Sequence, residues 1–95
     1  MNDAPFERVV FPKKGEVVGI VESMLGSNRV MVRCEDKKIR LCRIIGKMRK
    51  RVWVHVSEAV IVRPWEFQAD NRGDIIYKYN YTQANVLRKR GILTI

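Results

Sequence analysis

Few side chains in this chain could do covalent or metal chemistry. The single histidine, His55, sits between Val54 and Val56 with no serine or cysteine motif beside it, so a general base there has no nucleophile to serve. Cys34 and Cys42 fall on what read as neighbouring strands and could face each other. One possible bridge does not make a disulfide scaffold, and buried free thiols are the plainer expectation. Zinc takes about four ligands, and two cysteines, one histidine and scattered carboxylates without a C-x-x-C pair do not supply them. Gly26-Ser27-Asn28 lacks the glycines and the lysine of a phosphate loop. No metal or cofactor is implied, and the chain is not expected to be an enzyme.

Charge is the stronger signal. The 95 residues carry 19 Lys and Arg against 10 Asp and Glu, a net charge of +9. Ten of those cations lie between Arg29 and Arg51, where Glu35 and Asp36 are the only acids. The densest stretch is IIGKMRKRVWV, residues 44–54, in which Gly46 introduces Lys47, Arg49, Lys50 and Arg51 between two apolar runs. Cations so close together repel one another unless a polyanion shares their field, whereas solubility alone is served by spreading charge. A nucleic acid is the partner this composition points to, with contacts expected at phosphates rather than base edges. The candidates are Arg33, Lys38, Arg40 and Arg43 on the strands, Lys47, Arg49, Lys50 and Arg51 in the run, and Trp53 as a stacker or a core residue.

The elements that must position these residues read mainly as β. EVVGIVESMLG, residues 16–26, is a strand in which Gly19 suggests a bulge or sharp coiling. RVMVRC, residues 29–34, alternates, with Val30, Val32 and Cys34 on the buried face and Arg29 and Arg33 outward. After the loop Glu35-Asp36-Lys37, KIRL is expected to place Ile39 and Leu41 inward and Lys38 and Arg40 outward. Strict parity would then bury Arg43, so a bulge or strand end is expected near Cys42. VWVHV, residues 52–56, and AVIVRPW, residues 59–65, complete a tally of five strands. IIYKYNY follows, with Ile75, Tyr77, Tyr79 and Tyr81 expected on one face. A helix over about 82–90 is expected next, capped by Thr82 and ended by Gly91, with Arg88, Lys89 and Arg90 in its last turn.

Five short strands with a break after the third fit a five-stranded OB-fold, a Greek-key barrel, better than the Sm-like or SH3-like barrels. The division expected is a flexible arm over 1–14, the barrel over 15–67, and a C-terminal strand and helix extension over 68–95 packed on it, all within one domain. No apolar run approaches the roughly 18 to 20 residues that cross a bilayer, and the N-terminus has no secretory h-region, so a cytoplasmic protein is expected. Trp65, Phe67 and the tyrosines read as packing of the tail on the barrel. The cationic strands carry no aromatic platform, which favours a folded RNA recognised by shape and backbone.

Longer stretches resemble a known family. GIVESMLGSNRVMVRC, then RLCRI before GKMRKRVW, then DIIYKYN and a helix ending near RGIL are similar to translation initiation factor 1A of archaea and eukaryotes, itself similar to bacterial initiation factor 1. The resemblance spans about residues 15–93. It implies an OB-fold with a helical extension that binds rRNA of the small ribosomal subunit near the A-site decoding centre. It also implies work with other initiation factors in recruiting initiator methionyl-tRNA, as a monomer without catalytic activity. The family's RNA-facing cations correspond to Arg40, Arg43, Lys47, Arg49, Lys50 and Arg51, with Trp53 in register. Ile45 departs from eukaryotic relatives, which tend to have arginine there. The sequence ends at Ile95 like the archaeal form, so functions tied to long eukaryotic tails are not expected; Arg8, Lys13 and Lys14 are further cations of the N-terminal arm. The alternatives are a general RNA chaperone or single-strand-binding module, and a constitutive ribosomal protein.

Overall fold

The structure is a computed structural model that describes residues 9–45 and 54–95. Among the described residues, five strands, β1 (Val17–Gly26), β2 (Arg29–Cys34), β3 (Ile39–Ile44), β4 (Ala59–Pro64) and β5 (Arg72–Lys78), precede one helix, α1 (Tyr81–Lys89). The strands close into a barrel in the order β1-β2-β3-β5-β4, with β4 returning to β1. Every pairing is antiparallel except the parallel β3–β5 contact. This is the OB-fold, with its edges removed by closure.

The strand count agrees with the sequence reading, but the membership does not. Val54 and His55 are not in a strand, and Val56 and Ser57 form a turn. The turn is held by Ser57 N–H donating to Val21 O at 2.8 Å and by His55 N–H donating to the Glu58 carboxylate at 2.7 Å. The fifth barrel strand is instead Arg72–Lys78, inside the segment expected to be an extension, so the barrel continues to Lys78. It pairs on both sides, with β3 through Gly73 and Cys42 and with β4 through Gly73 and Pro64. A Cβ on Gly73 would lie 2.7 Å from Val62 Cγ1 and 3.1 Å from Arg63 O, so a larger residue would press on β4.

Local chemistry explains the connections. Gly26 pairs with Arg29 across Ser27 and Asn28, both at positive φ, which is the two-residue turn that follows the twist of a hairpin. Gly19 is not itself a bulge. The irregularities in β1 fall between Val21 and Ser23 and between Met24 and Gly26. Gly19 instead marks a close approach, because its added Cβ would meet Val32 Cγ1 at 2.5 Å and Arg33 O at 2.8 Å.

Two apolar clusters hold the molecule together. Inside the barrel are Val21, Val30, Val32, Cys34, Cys42, Ile44, Val54, Val60, Val62 and Ile75. Outside, Val18, Ala59 and Ile61 pack beneath Tyr79, Ala84, Leu87 and Leu93. The run Ala59–Val62 is therefore buried on both faces, which is why it shows no polar alternation. A register shift opposite Ile61 and Val62 divides the expected face of IIYKYNY. Ile75 enters the barrel, Tyr79 joins the outer cluster, and Tyr81 is left 82% exposed.

Asn80, not Thr82, caps α1. Its side chain accepts from Gln83 N–H at 2.8 Å while the Gln83 side chain accepts from Asn80 N–H at 2.9 Å, a reciprocal capping box. Gly91, at φ +76, ends the helix as expected, with Ile92 N–H reaching Leu87 O at 2.9 Å. The first fourteen residues were expected to form a flexible arm; of its described part, Val9, Val10 and Phe11 touch the helix side of the molecule while Lys13 and Lys14 are exposed. Val9 joins the outer cluster, the Tyr79 hydroxyl donates to Val10 O, and the Arg90 guanidinium lies 5.4 Å from the Phe11 ring. The tail is pinned as well, because the Glu35 carboxylate accepts from Thr94 N–H at 2.6 Å and Thr94 Oγ1 at 2.8 Å.

Candidate nucleic-acid interface

The outer surface of β2 and β3, with the hairpin between them, carries the described cations of the basic segment except Arg40. Arg29 and Arg33 point outward on β2, as its alternation predicts, and Lys37 and Lys38 are exposed at the hairpin that follows. Arg43 is outward too, with no bulge needed. On β3 the two faces are interchanged relative to the expectation: Arg40, Cys42 and Ile44 are buried, while Ile39 is 48% exposed. The barrel interior takes the parity that brings Cys42 opposite Val30 and Ile44 into the core, and Arg40 must follow.

Arg40 is thereby removed from the RNA-facing set. It is 3% exposed, and each of its three guanidinium nitrogens donates within the molecule. Nη1 and Nη2 donate to the two Asp36 oxygens at 3.1 and 2.8 Å, and Nε donates to Ala69 O at 2.6 Å. The bond from Arg40 holds the Asp36 carboxyl below the usual carboxylate range, against the effect of burial. Burial works most strongly against the Arg40 charge, but the Asp36 carboxylate and the Cys34 sulfur together outweigh it and raise the Arg40 pKa. A planar fork on a carboxylate is a good way to satisfy a buried guanidinium.

The other described candidates are exposed but also have carboxylate neighbours. Arg33 Nε lies 2.9 Å from Glu22, Lys38 Nζ 3.7 Å from Asp70, and Arg43 Nε 3.1 Å from Asp74. Arg33 and Arg43 side chains remain 54% and 60% exposed. Surface pairs of this kind contribute at most about 1 kcal/mol, so phosphate can replace the carboxylates at small cost. Arg29 and Lys37 make no ion pair with any described residue.

Register aligns part of this charge into a row across four strands. Arg29 on β2 is opposite Arg43 on β3, Arg43 opposite Asp74 on β5, and Asp74 opposite Arg63 on β4. Trp65 lies over this row. Its Nε1–H donates to Asp74 Oδ1 at 3.0 Å, and the Arg43 guanidinium lies 4.9 Å from its ring. Burial opposes the Asp74 charge, yet the bonds from Arg43 and Trp65 hold its carboxyl below the usual range. Sequence reasoning assigned Trp65 and Phe67 to packing under the tail, but Trp65 is only half-buried and Phe67 is 80% exposed. The signal was Pro64 at a strand end, which lets the chain carry the next aromatics off the barrel rather than beneath it.

Lys47, Arg49, Lys50, Arg51 and Trp53, with Val52, lie outside the described residues. Both flanks of that stretch are anchored, since Ile45 packs against the barrel core and Val54 is buried in it. The thiols are inert structural groups. Cys42 is opposite Val30 rather than Cys34, both cysteines are free, and burial pushes Cys34 up and Cys42 up to about 12. His55 is an exposed turn residue whose Nδ1 is 3.6 Å from Glu58. Among the described residues no three His, Cys, Asp or Glu side chains group as a metal site, and no helix is long and apolar enough to cross a membrane.

Comparison with known proteins gives a consistent result. The family model described as "Translation initiation factor 1A / IF-1" matches residues 7–94. Translation initiation factor 1A of Pyrococcus abyssi is 51% identical over 87 residues, covering 92% of this chain and 77% of the relative. That of Picrophilus torridus is 52% identical over 94 residues, covering 97% and 86%. Among solved structures, bacterial translation initiation factor 1 from the Wolbachia endosymbiont of Brugia malayi superposes with a TM-score of 0.53 at 22% identity, over 84% of this chain and 90% of that one, a likeness of fold. YjeQ from Thermotoga maritima gives a TM-score of 0.56 at 28% identity, over 68% of this chain and 23% of that one.

Proposed function

The chain belongs to the translation initiation factor 1A / IF-1 family, and from that premise we propose that it binds the small ribosomal subunit at the A-site decoding region and promotes recruitment of initiator methionyl-tRNA. The family acts in translation initiation and is not a family of enzymes. The observation that carries the finer reading is the outward basic face of β2 and β3, continuous along the chain with the cation run that begins beyond Ile45. Arg29, Arg33, Lys37, Lys38 and Arg43 supply exposed charge on a rigid barrel. Lys47, Arg49, Lys50 and Arg51 add four cations whose two flanks are fixed in the core. Such a surface neutralises phosphates of a folded RNA without reading its bases. Arg40 takes no part and serves the fold. Other initiation factors are the expected partners in the cytoplasm, with the protein acting as a monomer.

The test is equilibrium binding to isolated small subunits as salt is varied. Affinity is expected to fall steeply with salt, and replacing Arg49, Lys50 and Arg51 by alanine is expected to weaken it and flatten the slope without lowering the melting temperature. Unchanged affinity in a normally melting triple variant refutes the reading. The partly exposed Trp65 and the exposed Phe67 favour one second reading, a single-strand-binding module acting off the ribosome. Equal affinity for subunits and for a random single strand selects that alternative.

A further inference from the structure

A second group of cations lies away from the β2 and β3 face. From Ile75 to Ile95 the sequence holds Lys78, Arg88, Lys89 and Arg90 and no acid, and Lys13 and Lys14 follow the part of the arm whose Val9 and Phe11 touch the helix side. We propose that the C-terminal end of α1, together with this arm, is a docking surface for an acidic protein segment that also carries apolar side chains. The choice of a protein over a nucleic acid rests on the RNA-binding reading of the barrel.

The fold leaves this charge unspent. Arg88, Lys89 and Arg90 are exposed and make no ion pair with any described residue, and the same holds for Lys13 and Lys14. The two acids that reach the arm and the tail are committed elsewhere. Glu35 accepts from Thr94 N–H, Thr94 Oγ1 and Ile95 N–H, while Glu16 accepts from Lys13 N–H at 2.9 Å and lies 3.7 Å from Arg63. A cation in the last turn suits the helix dipole, but the final carbonyls do not need it. Arg90 N–H donates to Val86 O, Gly91 N–H to Arg88 O and Ile92 N–H to Leu87 O, all at 2.9 to 3.1 Å.

Two features select an acidic protein segment over phosphate. Val10 and Phe11 are 41% and 39% exposed, and the Arg90 guanidinium lies 5.4 Å from the Phe11 ring. One face of that ring is thus taken, which suits packing against side chains better than stacking of a base, while carboxylates accept from the arginine forks. Position agrees. α1 packs over Val18 of β1 and Ala59 and Ile61 of β4, and in the ring the β4–β1 seam is two steps from the β2–β3 seam, the farthest that five strands allow. An RNA held on β2 and β3 leaves the helix end turned toward another component.

The probe is a peptide of about twelve residues in which Glu and Asp alternate with Leu and Phe, titrated into isotope-labelled native protein. Amide shifts are expected at Val10, Phe11 and Arg88 to Gly91; shifts confined to β2, β3 and the cation run overturn the proposal. This map needs no variant, so it decides the question even where a substitution costs stability. Replacing Arg88, Lys89 and Arg90 by alanine is expected to weaken peptide binding by about fivefold or more and to leave affinity for small subunits unchanged. The Arg49, Lys50 and Arg51 alanine variant is expected to do the reverse. A helix-end variant that loses subunit affinity and keeps peptide affinity marks an RNA contact and overturns the proposal. So does equal affinity for a peptide with serine in place of Leu and Phe, because charge alone would then explain binding. Native protein that fails to bind subunits refutes the initiation-factor site, whereas subunit binding without peptide binding refutes the docking surface alone.

Discussion

Removing the Asp36 carboxylate should cost more stability than removing the Arg40 guanidinium it binds. Asp36→Ala deletes both hydrogen bonds from the Arg40 guanidinium, together with one from Lys38 N–H, and leaves a guanidinium that is 3% exposed with Ala69 O and the Cys34 sulfur beside it. Breaking a fully buried ion pair costs about 3–5 kcal/mol, whereas an exposed pair contributes at most about 1 kcal/mol. Asp36 is 36% exposed, so solvent screens one end of the pair, and a loss of about 2–3 kcal/mol is expected. In a domain of this size that lowers the melting temperature by about 10 °C or more. Arg40→Met instead removes the buried charge, leaves Asp36 open to water and orphans one carbonyl, for a loss of about 1 kcal/mol. The double variant should recover most of what Asp36→Ala loses. Thermal melts and urea titrations of the three variants measure this order. Binding to small subunits, measured well below the melting temperature, should be unchanged by Arg40→Met and weakened by Arg43→Met. An Asp36→Ala variant no less stable than Arg40→Met, or an Arg40→Met variant of native stability with reduced RNA affinity, refutes the assignment of Arg40 to the fold.

Other consequences are open to direct measurement. Asn80→Ala breaks the capping box and should cost about 1 kcal/mol, read as a lower urea midpoint with an unchanged slope. Gly19→Ala forces a methyl against Arg33 O and Val32 and should cost about 1–3 kcal/mol in thermal unfolding; a neutral effect would mean that β1 can move away from β2. The folded-state pKa values of Asp36 and Asp74 lie below their unfolded values of about 3.9, so their contribution is complete above that pH and is lost as pH falls through the lower folded values. Melting temperature should therefore drop as pH falls below the unfolded carboxylate value, and Asp74→Asn should make that drop shallower; an identical acid profile in the variant would contradict it.

Local pattern was enough for much of this protein. Strict alternation in RVMVRC identified its buried face, because one parity held only Val30, Val32 and Cys34. Gly91 marked the helix stop, since the left-handed conformation there suits glycine, and the crowding of cations between Arg29 and Arg51 was plain in one dimension. The long combination of motifs also pointed to the family that the comparisons show.

Tertiary structure decided the questions in which both local answers were acceptable. KIRLCRI offers apolar residues on both parities, Ile39 and Leu41 on one and Cys42 and Ile44 on the other, so its face depended on what lay across the barrel. The fit of Cys42 and Ile44 into that interior carried Arg40 inward, to a carboxylate four residues before it and a carbonyl from Ala69 far along the chain. Closure likewise made Arg72–Lys78 a barrel strand, because a strand paired with β3 and β4 at once completes the ring, and Gly73 lets it lie close against β4. Trp65 was placed by the same event: its partners Arg43 and Asp74 come from two other strands, and no period along the sequence relates them. Composition and periodicity thus determined which segments extend, which coil and how much charge they carry. Pairing between distant segments determined which of those charges are buried and which stay exposed.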